Sequence, residues 1–151
     1  MSELHALEDW AGLLLHRLEP PARTTLARTI AQQLRRSQQQ RITAQSNPDG
    51  SKYASRKPRD LRGKQGRIKR KLKMFRKLRT ASYLKAKSDS NLVSVGFTGR
   101  ISRIARVHQY GLKDRAERGA PEVKYKQREV LGFTDADLDL IRDMLLNQLT
   151  Q

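Results

Sequence analysis

Between Lys52 and Arg79 the chain carries fourteen lysines and arginines against one acid, Asp60. Such a stretch cannot be buried as a whole, because dehydrating that many unpaired charges costs far more than burying its few apolar residues contributes. The first 51 residues hold six basic and five acidic side chains, and the last 21 set Arg142 against Asp135, Asp137, Asp139 and Asp143. The net charge of +17 thus belongs to the middle of the chain. There it opposes compaction and favours an anionic partner.

The flanks have the patterning of a folded protein. Leu4, Leu7, Ala11, Leu14 and Leu18 recur at helical spacing, so an amphipathic helix is expected over 3–18, with Trp10 beside its stripe. Pro20 and Pro21 suit the first turn of a second helix, about 21–45, whose apolar side is Leu26, Ile30, Leu34, Gln38 and Ile42. That stripe fades into "RRSQQQR", which reads as a helix end projecting from the core. "NPDG" (47–50) is a turn, since Pro presets φ and Gly accepts a positive one. Residues 51–66 read as a mobile basic loop with little to bury. From Arg67 a third helix is expected, with Ile68, Leu72, Phe75 and Leu78 on one face.

"LKAKSDSNLVSVGF" (84–97) alternates around a turn-rich centre and predicts a β-hairpin. Residues 100–110 return to helical spacing, with Gly111 placed to stop them. Residues 113–121 read as a charged loop, followed by a short strand through Val123 and Tyr125. Thr134, with Asp137 three residues on, opens the last helix as a capping-box variant, and Leu138, Ile141, Leu145 and Leu149 face inward. Its acidic first turn suits the helix dipole. The expected class is α+β, mainly helical, with long N-terminal helices, a small antiparallel sheet (the hairpin plus a short strand) and a C-terminal helix. The 151 residues suffice for one domain, 1–151.

Signatures of catalysis are sparse. There is no cysteine, hence no disulfide and no thiolate metal site. His5, His16 and His108 are scattered without metal-ligand spacing, and "GRIKRK" lacks the second glycine and the Ser or Thr of a Walker loop. No enzyme, metal or cofactor is expected. Residues 1–20 lack the pattern of a signal peptide, and the apolar run Leu13–Leu15 is far short of the roughly 20 residues of a membrane span.

The candidate site is therefore the basic segment, through Arg67, Lys69, Arg70, Lys73, Arg76 and Lys77. These can neutralise phosphates by sequence-independent contact, or face an acidic protein surface. Tyr53 and Phe75 are the only aromatics between residues 52 and 79, which serves base stacking poorly. On charge alone the two partners fit equally well. A membrane surface fits less well, because no aromatic rim accompanies the charge.

In order and wording, the "LRRSQQQRI" helix end, "NPDG" with Tyr53 downstream, "MFRKLRTASYL", "VGF", "ARVHQYG" and "QREVLGFTDAD" resemble tail completion proteins of temperate contractile-tailed phages. These belong to the phage virion morphogenesis family, and the resemblance spans nearly the whole chain. It implies a structural protein of the virion, assembled in the host cytoplasm. Such a protein caps the head-proximal end of the tail and permits head–tail joining. The resemblance also implies a ring, expected to be hexameric, whose partners are itself, the tube or sheath end, and neck or head-completion proteins. Passing genomic DNA could touch such a ring. His108 and Tyr110, within "ARVHQYG", are candidate interface residues, against the plainer reading that His108 packs under the hairpin.

Overall fold

The computed structural model describes residues 2–56, 73–115 and 117–150. Its elements run α1 (Ser2–Leu15), α2 (Pro20–Thr43), β1 (Leu84–Ser88), β2 (Val93–Phe97), α3 (Ile101–Tyr110), β3 (Lys113–Arg115), β4 (Glu122–Lys124) and α4 (Asp135–Leu149). The class is α+β, as expected.

The longest helix, α2, organises the rest. Pro20 and Pro21 occupy its first turn, where the N–H that proline lacks has no intrahelical acceptor. Two apolar clusters lie along it. Leu26, Ile30 and Leu34 meet Leu145 of α4, with Trp10 and Leu15 of α1, Val93 and Val95 of β2, and Ile141 packed around them. Further along, Ile42 joins Leu78, Ala105 and Val130, flanked by Phe75, Phe97 and Ile101. Ile42 and Leu84 are wholly excluded from solvent. Each such side chain contributes about 1.5–3 kcal/mol by leaving water. Leu14 and Leu149, expected on the inner faces of their helices, have side chains outside the described set.

Local chemistry sets several boundaries as anticipated. β1 and β2 form an antiparallel hairpin pairing Leu84 with Phe97 through Ser88 with Val93. Within its turn, Asn91 N donates to Asp89 Oδ1 at 2.7 Å. Gly111 ends α3 in the left-handed region at φ 63°. Thr134 and Asp137 exchange side-chain-to-backbone hydrogen bonds in a full capping box.

Three expectations need correction. First, the end of α2 does not project. Gln38 and Arg41 are buried with Ile42, because backbone groups of residues 129–132 satisfy their polar ends. Second, the expected third helix fails where it can be followed. Residues 67–72 lie outside the described residues, and 74–79 form consecutive turns. Phe75 sits at φ 65°, which an α-helix cannot contain. The Gln45 amide satisfies this backbone instead: its Nε2 donates to Met74 O at 2.9 Å, and Met74 N donates to its Oε1 at 2.8 Å.

Third, the short strand does not join the hairpin. It is β4, which ends at Lys124, one residue before Tyr125, and pairs with β3 inside the stretch read as a charged loop. Among the described residues the result is two separate two-stranded sheets. Within the stretch read as a mobile loop, Tyr53 is buried and its hydroxyl donates to Glu129 O at 3.0 Å. The rest of that expectation, 57–66, lies outside the described residues.

Candidate interaction surface

Of the basic segment, the structure describes the residues up to Arg56 and those from Lys73 onward. Arg67, Lys69 and Arg70 lie outside the described residues. What the structure shows is how the two ends are held. Tyr53 on the outgoing side and Phe75 on the returning side meet edge to face, ring centroids 5.6 Å apart. Phe75 in turn meets the His108 ring at 4.8 Å, and His108 meets Tyr125 at 5.1 Å. Such contacts contribute about 0.5–1.5 kcal/mol each beyond area burial. They help offset the left-handed backbone at Phe75.

Arg128 closes the same base from the other side. Its Nε donates to Ala54 O at 2.7 Å and its Nη2 to Ser55 O at 2.9 Å, while its backbone N donates to His108 O at 2.8 Å. Burial, and then neighbouring Arg56, lower the pKa of Arg128 from the ordinary arginine value. The His108 pKa is lowered to about 4 by burial first, then by Arg128 and Arg56. The imidazole is therefore neutral near pH 7, and its buried Nδ1 has no hydrogen-bond partner among the described residues.

A second polar network fastens the 127–132 segment to α2. Arg41 Nη1 donates to Glu129 O at 2.8 Å and to Ser46 O at 3.0 Å. Its Nη2 donates to Gln38 Oε1 at 2.6 Å and to Val130 O at 3.1 Å. Gln38 Nε2 donates to Gly132 O at 2.9 Å, and Gly132 N donates back to Gln38 Oε1 at 3.1 Å. A buried guanidinium needs such a ring of acceptors. Sequence periodicity gave no hint of it, since its partners lie some ninety residues further on.

On this fixed base the returning residues Lys73, Arg76 and Lys77 are exposed. Among the described residues the ion pairs are His5–Glu8, Arg103–Asp114 and Arg142–Asp139, so none of the three cations has a carboxylate partner there. Arg79 differs: its Nη1 donates to Thr43 Oγ1 at 2.8 Å, which ties the turn to α2. The two residues of "ARVHQYG" separate as well. The His108 ring is flanked by those of Phe75 and Tyr125, whereas Tyr110 is 64% exposed. Among the described residues no cluster of His, Cys, Asp or Glu could hold a metal, and no helix is long and apolar enough to cross a membrane.

The surface so defined is that of a small α+β protein whose distinguishing features are exposed cations with no carboxylate partner among the described residues and exposed apolar side chains, set on a tightly hydrogen-bonded base. The chain belongs to the phage virion morphogenesis family, whose model matches residues 2–150. Tail completion protein S of Escherichia phage P2 is 39% identical over 150 residues, covering 99% of each chain. No solved structure matches the chain.

Proposed function

We propose that this chain is a phage tail completion protein. It is a structural, non-enzymatic virion component that caps the head-proximal end of a contractile tail, as a ring, and permits joining to the filled head. The observation that carries this reading is the 39% identity to tail completion protein S along 99% of both chains. A relation that runs end to end at that level argues for a shared role of the whole chain rather than of one segment. The exposed rim of Lys73, Arg76 and Lys77, which has no carboxylate partner among the described residues, supports contact with an acidic neck or head-completion protein. Deleting the gene from its phage tests the reading. Full heads beside unjoined tails are expected, while normal tails with empty heads would assign the protein to packaging instead.

The same rim favours one second reading, sequence-independent contact with the DNA backbone. A site neutralising about five phosphates gives a log–log salt slope of roughly −4 to −5 for duplexes of any sequence. Tight, sequence-blind binding with that slope at physiological salt would move the assignment to DNA. Binding too weak to measure there leaves the protein partner.

A further inference from the structure

We infer that a shallow groove beside Tyr110 receives the acidic outer face of α4 from the next copy of this chain, joining copies head to tail. The inference rests on the ring reading above and supplies it with an interface. The left-handed turn at Gly111 swings the chain so that Tyr110 and Tyr125 flank a cavity of about 470 Å³, completed by Lys124, Lys126 and Gln127. Its floor is firm: Tyr125 N donates to Leu112 O at 3.0 Å, and the His108 ring backs Tyr125. A side chain at the bend would also be crowded, since a Cβ on Gly111 would lie 3.1 Å from Gln127 N.

The groove is apolar inside and basic at its edge. Lys113 and Lys124 stand directly opposite each other across β3 and β4, both exposed. With Lys126, also exposed, they give the groove a basic edge that favours an acidic occupant.

A matching surface lies elsewhere on the chain. Asp135, Asp139 and Asp143 recur at helical spacing on the exposed side of α4, and only Asp139 has an ion-pair partner among the described residues, Arg142 at 3.3 Å. Apolar groups bracket this acidic strip, Phe133 at 47% exposure and Leu146 at 46%. In a chain of net charge +17 most surfaces repel their copies. This strip offers the opposite sign together with apolar groups that suit two tyrosines. Because groove and strip are different patches, each contact leaves one of each unused, and the assembly propagates until it closes.

The chain has no native cysteine, so introduced ones report contacts cleanly. A Lys126→Cys/Asp139→Cys double variant, oxidised both as concentrated purified protein and on isolated tails, should give a ladder of disulfide-linked oligomers. Either single variant should stay monomeric on a non-reducing gel. Lys124→Glu/Lys126→Glu and Asp139→Lys/Asp143→Lys should each weaken self-association on the order of 100-fold, and mixing the two should restore it. No ladder in either preparation overturns the inference. So does a dimer from Lys126→Cys alone, which would mean that grooves meet grooves. Loss of duplex binding in the lysine variant with no ladder would assign the groove to nucleic acid. If gene deletion leaves tails unjoined but no ladder forms, this interface fails while the tail role stands. If deletion leaves joining intact, the tail role itself fails.

Discussion

Gly132 faces Pro48 of the NPDG turn so closely that an added Cβ would lie 2.4 Å from Pro48 Cγ. Asn47 of that turn also accepts from Glu129 N at 2.9 Å, so the two segments cannot separate freely. Gly132→Ala should therefore cost about 1–3 kcal/mol in urea denaturation. Gly12→Ala makes a useful contrast, since nothing lies within 4 Å of its Cβ and it sits within α1. That change should stabilise by roughly 0.5–1 kcal/mol. Equal effects at both sites would show that the Pro48 contact does not constrain the backbone. His108 gives a pH-dependent counterpart. Its pKa falls from 6.5 to about 4 on folding, so the unfolded chain takes up the proton first as pH drops. Stability from this group is fully present above pH 6.5 and is lost as pH falls towards 4. His108→Phe keeps a ring in the column without a titrating group, and its Tm should fall less over that interval. Parallel declines would remove His108 as a cause.

At the scale of elements, the far end of α2 does two jobs. Ile42 contributes to the second apolar cluster, while Gln38 and Arg41 supply hydrogen bonds to a segment with no regular structure of its own. Arg41→Leu leaves the carbonyls of Ser46, Glu129 and Val130 without this donor. It should cost on the order of 3 kcal/mol in chemical denaturation. Limited proteolysis should then cut first within 127–132. Unchanged stability with no new cleavage would mean that apolar packing alone holds that segment. The turns that carry Lys73, Arg76 and Lys77 depend on α2 in the same way, since Gln45 and Thr43 hold Met74 and Arg79.

For the whole molecule the question is how a chain of net charge +17 keeps its fold separate from its contacts. Lys73, Arg76 and Lys77 are exposed on a base fastened by other residues, so their charges are dispensable for folding. Reversing all three to Glu should change stability by less than about 0.5 kcal/mol per site and abolish head–tail joining. Wild-type joining by the triple variant would sink the protein-partner reading of this rim. Arg79 should be left intact in that experiment, because its bond to Thr43 would confuse loss of contact with loss of structure.

By itself the sequence determined what depends on neighbours along the chain. The apolar stripe of α2, the alternating hairpin, the Thr134–Asp137 cap and the Gly111 stop each arise from residues within a few positions of one another. The family, too, was legible in the order of short motifs. Tertiary structure alone decided the burial of Arg41, the left-handed Phe75 with its two ring neighbours, Tyr53 and His108, and the pairing of β3 with β4. It also split His108 from Tyr110, enclosing one and exposing the other. The physical reason is that a polar side chain can be buried only where distant backbone completes its hydrogen bonds. No pattern within α2 reports that the carbonyls of residues 129, 130 and 132 will come to meet it.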